Sequence, residues 1–145
     1  MKVKVKKLHE LAQLPTYGTE GAAKFDIASI EQVVVKAGET KLIRTGLSFE
    51  VPTGYFLQIV PRSGLSSKTK IRLSNSPGTV DEDDRGEVKF ILDNILGKFP
   101  EDYTVKIGEK LGQGSIEKYE KVEFEEVEEL NETVRGENGF GSTDK

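Results

Sequence analysis

Asn75-Ser76-Pro77-Gly78-Thr79-Val80-Asp81-Glu82-Asp83-Asp84-Arg85-Gly86-Glu87-Val88 is the stretch around which the chain is organised. A Pro-Gly turn, a small β-branched step, four consecutive acidic residues and a second glycine turn lead into the apolar run Phe90-Ile91-Leu92. Proline and glycine mark tight turns, and β-branched and aromatic neighbours favour strands. The pattern predicts a β-hairpin whose tip gathers the acidic residues beside Arg85. Like charges that close repel, so a fold keeps them together only where they are solvated or useful. For this segment taken singly, a solvated acidic loop is the plainer reading.

Outward from it, short strands and frequent turns continue in both directions. Val3 and Val5 alternate with lysines as in an edge strand, where lysine discourages edge-to-edge pairing. Leu8 to Leu14 suits a brief helical turn, ended by Pro15 and Gly18. Asp26-Ile27-Ala28, Val33-Val34-Val35 and Thr40 to Phe49 read as strands, with Lys36-Ala37-Gly38-Glu39 and Val51-Pro52-Thr53-Gly54 as turns. Tyr55-Phe56-Leu57-Gln58-Ile59-Val60 is the most apolar run and reads as a central strand closed by Pro61. Val122, Phe124 and Val127 among glutamates suit a last edge strand and its exit. Turns recurring at roughly 8–12 residues predict an all-β sandwich or barrel. A jelly-roll-like double sheet is the expected architecture.

The chain has 145 residues, enough for one domain with a real core. Charged residues make up 32% and the net charge is −4, which gives no broad attraction to nucleic acid or anionic membrane. Without cysteine there is no disulfide framework and no thiolate metal site. No apolar run approaches the ~20 residues that span a bilayer, and Met1-Lys2-Val3-Lys4-Val5-Lys6 lacks the apolar block of a signal peptide. A cytoplasmic protein is expected, with neither nucleic acid nor membrane as partner. His9, the single histidine, leaves little material for serine–histidine or histidine–metal chemistry and reads as an incidental surface residue.

Three further stretches carry chemistry. Pro61-Arg62-Ser63-Gly64-Leu65-Ser66-Ser67-Lys68 sets an arginine and hydroxyls around a glycine turn, a pattern that can cradle phosphate but is common. Lys106 to Ile116 is glycine-rich without P-loop spacing. Arg135-Gly136-Glu137-Asn138-Gly139-Phe140-Gly141-Ser142-Thr143-Asp144-Lys145 offers one large apolar side chain against several glycines, so it is expected to be mobile when nothing is bound. A frayed terminus and a lid over an anionic ligand fit that composition equally well.

Ala23-Lys24-Phe25-Asp26-Ile27-Ala28, Pro61 to Leu65, Gly78-Thr79-Val80-Asp81 through Arg85-Gly86, Gly108-Glu109-Lys110-Leu111-Gly112-Gln113 and Arg135-Gly136 through Thr143 follow one another in order. Together they resemble the five motifs of the trimeric deoxyuridine triphosphate nucleotidohydrolases (dUTPases). The resemblance implies a jelly-roll, β-clip domain over residues 1–133 and a flexible C-terminal arm over residues 134–145 that closes on the active site. It implies a homotrimer with active sites shared between subunits, and hydrolysis of dUTP to dUMP and pyrophosphate with Mg²⁺. By motif position, Asp81 would activate the attacking water and Asp26 would hold the metal through water. Arg62, Ser63, Gly64 and Gln113 would bind phosphates. Asn75, Thr79, Val80 and Lys89 would line the uracil slot, with Asp84 beside the sugar. Arg135, Gly141, Ser142 and Thr143 would close on the γ-phosphate, and Phe140 would stack on the base.

Three positions depart from the family's usual pattern: Lys24 stands in place of a glycine, Asp144 in place of the terminal glycine, and Asp84 in place of the tyrosine that packs on deoxyribose. Two other readings share the fold. One is a dCTP deaminase-type enzyme, which the Arg-Gly…Gly-Phe-Gly-Ser tail disfavours. The other is a dUTPase-like nucleotide-binding regulatory module with weak catalysis, for which Asp84 is the feature in favour.

Overall fold

Turn-forming residues keep most of the described strands short. The computed structural model describes residues 1–137. In chain order the strands are β1 (Lys4–Lys7), β2 (Thr16–Tyr17), β3 (Phe25–Ala28), β4 (Val33–Val35), β5 (Thr40–Arg44), β6 (Leu47–Glu50) and β7 (Tyr55–Pro61). A short helix α1 (Ser63–Lys68) follows, and then β8 (Ile71–Leu73), β9 (Gly78–Val80), β10 (Lys89–Asn94), β11 (Tyr103–Val105) and β12 (Lys110–Lys118).

The largest sheet runs β2-β3-β12-β7-β9; the second runs β5-β10-β8, and two ribbons pair β1 with β6 and β11 with β4. This is the expected jelly-roll-like all-β architecture. Strand β7 lies inside the large sheet, as its apolar run suggested, and its alternation sends Leu57 and Ile59 inward. Ile27, Leu57 and Leu111 of the large sheet join Ile43, Phe90 and Leu92 of the second in one core. Burying each such side chain contributes about 1.5–3 kcal/mol. Among the described residues no helix is long and apolar enough to cross a membrane.

Several local expectations need correction. Thr40 to Phe49 is not one strand, because Gly46 takes φ +67° and separates β5 from β6, which join different partners. A side chain there would be strained, and its Cβ would also stand 2.9 Å from Ala12 Cβ. The brief turn expected within Leu8 to Leu14 is confined to residues 8–11, with the Ala12 N–H donating to the His9 carbonyl at 3.1 Å. The Pro61–Lys68 stretch continues from β7 into α1 instead of making a glycine turn.

The acidic stretch is not a hairpin. β9 pairs with β7 in the large sheet, whereas β10 pairs with β5 and β8 in the second. Residues 81–88 therefore cross between sheets, and part of their backbone is held by side chains of other elements. Thr45 Oγ1 donates to the Val88 carbonyl at 2.6 Å, and Ser48 Oγ to the Arg85 carbonyl at 2.8 Å. The expected strand at Val122–Val127 does not form within the chain; Phe124 is 92% exposed and Leu130 87%.

Candidate functional site

Asp26 lies on β3 opposite Gln113 of β12, and Arg62 follows the end of β7 on the other side of β12. The sheet thus brings three separated motifs to one corner. Asp26 is only 7% exposed. Its Oδ1 accepts from Gln113 Nε2 at 3.1 Å and faces Arg62 Nε at 3.3 Å, while Oδ2 meets Lys110 Nζ at 3.0 Å. Arg62 is held in turn by donating Nη1 to the Lys110 carbonyl at 3.1 Å. Burial raises the Asp26 pKa and is the largest single influence. The hydrogen bonds from Lys110 and Gln113, with the charges of Arg62 and Lys110, outweigh it and hold the carboxyl below its usual range.

Asp81 occupies the opposite end of the same sheet. It lines an open cavity of about 430 Å³ with Phe56, Thr79, Glu82, Asp83, Tyr119 and Lys121. Its exposed carboxylate makes no hydrogen bond or ion pair among the described residues. Glu82 is anchored: its Oε2 accepts from the Gly54 N–H at 2.6 Å. That bond and a second from Tyr119 lower its pKa, and the same contact raises that of Tyr119. An exposed, unpartnered carboxylate beside an anchored one leaves Asp81 able to accept a proton from water.

Register measures how far apart these two groups lie. Val80 pairs with Leu57, which sets Asp81 beside the start of β7, whereas Arg62 follows its end. The intervening six or so residues span ~20 Å at ~3.3 Å each. Arg62 and Asp81 therefore stand at opposite ends of β7 and not in one cavity.

The remaining sequence candidates divide between these ends. Ser63 and Gly64 are exposed in the first turn of α1, next to Arg62. Asn75 packs over Gly78, with its side chain and carbonyl each 3.3 Å from where a Cβ would stand. Thr79 and Val80 sit on β9 beside Asp81, but Lys89 lies on β10 opposite Arg44, in the other sheet. Asp84 turns back on its own loop, where Oδ1 accepts from the Gly86 N–H at 2.7 Å. Arg135 is exposed in the final turn. Phe140, Gly141, Ser142, Thr143 and Asp144 lie outside the described residues. Lys24 leaves Asp26 in place and reaches across the sheet, donating to Gln58 Oε1 at 3.1 Å and to Ser115 Oγ.

Sequence reasoning missed Lys110, Glu82 and Tyr119. Lys110 stood within a quoted motif, but only strand pairing beside the β12 bulge brings it to Asp26. Glu82 was grouped with three like-charged neighbours, and nothing local distinguishes it from them. Among the described residues no cluster of three or more histidine or acidic side chains could hold a metal on its own. Asp26 is a single ionised carboxylate, which fits a hydrated Mg²⁺ carried by a polyphosphate better than a dedicated protein cage.

A sequence model of the dUTPase family matches residues 10–144. The chain is 50% identical over 145 residues to the deoxyuridine 5'-triphosphate nucleotidohydrolase of Nautilia profundicola, covering 100% of both. It is 46% identical over 143 residues to the Helicobacter pylori (strain J99) protein of the same name, covering 99% of this chain and 97% of the relative. A dUTPase of Staphylococcus bacteriophage 80alpha, solved with dUpNHpp, superposes with TM-score 0.88 at 28% identity over 98% of both chains. A dUTPase variant from phage phi11 of S. aureus, described with a structural Mg(II) ion, gives TM-score 0.81 at 25% identity, covering 90% of this chain and 99% of that one.

Proposed function

The chain belongs to the dUTPase family, and we propose that it hydrolyses dUTP to dUMP and pyrophosphate, with Asp81 activating the attacking water. The observation that carries this reading is the exposed Asp81 carboxylate, without a hydrogen bond or ion pair among the described residues, in its cavity next to Thr79 and Val80. Asp81 takes a proton as the water oxygen bonds to the α-phosphorus. The bond from that phosphorus to the α–β bridging oxygen breaks, and pyrophosphate leaves with the electron pair. A placed carboxylate base of this kind contributes ~10²–10⁴-fold.

Arg62, Ser63, Gly64 and Gln113 bind the phosphates, and Arg62 and Gln113 are already oriented by Asp26. Asp26 would hold Mg²⁺ carried by the triphosphate, through water, and the bound ion would supply charge neutralisation at the phosphates. Asn75, Thr79, Val80 and Lys89 read uracil, largely through the main chain. A site built to pair one base edge rejects a mispaired one by ~10⁴-fold or more. Residues 134–145 form an arm that closes over the site, bringing Arg135, Gly141, Ser142 and Thr143 to the γ-phosphate and Phe140 to the base.

The active assembly is a homotrimer. Arg62 and Asp81 stand ~20 Å apart along β7, too far to act on one phosphate chain, so a second copy must complete each site. Val122, Phe124 and Leu130 are exposed apolar residues that one chain leaves uncovered and an assembly can bury. A soluble nucleotide substrate suits the cytoplasmic location expected from the sequence.

Pyrophosphate release from dUTP, dCTP, dTTP and UTP tests the reading. Rapid release from dUTP, with dCTP and dTTP left intact, is the expected pattern. Ammonia from dCTP would reassign the protein to deamination, and binding of dUTP without turnover would leave only a nucleotide-binding role.

A further inference from the structure

Three segments distant in sequence meet beside Asp81. The Gly54 N–H, in the turn before β7, donates to Glu82 Oε2 at 2.6 Å. The Gly54 carbonyl accepts from the Tyr119 N–H, just past the end of β12, at 3.1 Å. Tyr119 and Glu82 line the same cavity, where the Tyr119 hydroxyl stands near enough to the Glu82 carboxylate to lower its pKa. The rings of Tyr119 and Phe56 pack 6.5 Å apart, and both line the cavity that holds Asp81.

The neighbouring acidic side chains behave differently. Asp84 bonds within its own turn, and Asp83 is exposed. Glu82 is half-buried and reaches out of the loop to two other segments. Residues 81–88 lie outside any strand, so no ladder of backbone bonds fixes them. Their geometry depends on side-chain anchors of this sort.

We propose that Glu82 is a positioning residue: clamped by Gly54 and Tyr119, it fixes the backbone from which Asp81 presents its carboxylate to the attacking water. The inference rests on the base role of Asp81 given above. It adds that Gly54, Glu82 and Tyr119 act as one unit. Chemistry of this kind is sensitive to placement, because a shift of ~1 Å in a reacting group can cost ~10²-fold in rate.

The test compares Glu82→Ala, Glu82→Gln and Tyr119→Phe in the full chain, measuring kcat for dUTP and Kd for a non-hydrolysable dUTP analogue. Glu82→Ala is expected to lower kcat by ~10²-fold while Kd stays within ~2-fold. Glu82→Gln should restore kcat to within ~3-fold, because its amide oxygen still accepts from Gly54 and its N–H₂ can donate to the Tyr119 oxygen. Tyr119→Phe keeps the packing on Phe56 and should lower kcat by ~10-fold; it decides the matter if Glu82→Ala does not fold. Parental kcat in Glu82→Ala or in Tyr119→Phe, or a Glu82→Gln variant as impaired as Glu82→Ala, overturns the proposal. Asp81→Asn is assayed alongside: if it remains active, the base assignment has failed, whereas an inactive Asp81→Asn beside a fully active Glu82→Ala removes this inference alone.

Discussion

Lys110 Nζ lies 3.0 Å from Asp26 Oδ2, so the buried carboxylate at this corner of the sheet carries a built-in cation. Hydrogen bonds from Lys110 and Gln113 and the nearby Arg62 charge hold Asp26 below the usual aspartate range, against the opposing effect of burial. A depressed carboxylate pKa contributes stability that is present above the unfolded value and lost as pH falls through the folded value. Asp26→Asn should therefore be less stable than the parent at neutral pH, with the two converging as pH drops below about 4. Urea midpoints between neutral and strongly acid pH would show it. Parallel curves would mean that Asp26 gains nothing from its partners.

Asp81→Asn keeps the size of the side chain and removes its basicity. Turnover should fall by about two to four decades while dUTP still binds. Near-normal steady-state turnover in this variant would reject Asp81 as the base.

Asp84 is held by the Gly86 N–H, which leaves its carboxylate engaged with the loop. Asp84→Tyr adds a ring that can bury against deoxyribose, an apolar contribution on the order of 1–3 kcal/mol. It should lower KM for dUTP and raise the dUTP/UTP selectivity ratio. Asp84→Asn keeps an acceptor for Gly86 and should leave the ratio where it is. An unchanged ratio in Asp84→Tyr would mean that the sugar is read by other residues.

A Cβ at position 112 would stand 2.4 Å from Phe90 Cε1 and 3.1 Å from the Val60 carbonyl oxygen. Phe90 is fully buried and cannot swing away freely. Gly112→Ala should destabilise the fold by about 1–3 kcal/mol through overpacking. Phe90→Val in the same chain should recover part of that loss, as a double-mutant cycle would detect. Additive effects would mean that the two positions do not press on each other.

Among the described residues, the buried hydrophobic core ends at Leu111. A chain ending at Thr133 should therefore keep its fold and its oligomeric state, with turnover lower by orders of magnitude. Unfolding or dissociation on truncation would make residues 134–145 a structural clasp instead of a closing arm.

Local chemistry alone determined the all-β class and the strand character of β7, whereas the motif residues were picked out by their resemblance to a known family. Strand periodicity, turn residues and side-chain type are written into short windows of sequence. Tyr55 to Val60 and Asp26 to Ala28 could be read in this way because each window needed no distant partner to declare itself. Tertiary structure alone decided where the acidic stretch pairs, because β9 and β10 each found a partner outside it and opened the expected hairpin. It also decided that Lys110 meets Asp26, that Glu82 is clamped while Asp81 stays free, and that Arg62 and Asp81 occupy opposite ends of one sheet. Strand register sets each of these relationships, and register depends on which hydrogen-bonding edges and apolar faces meet across the whole fold.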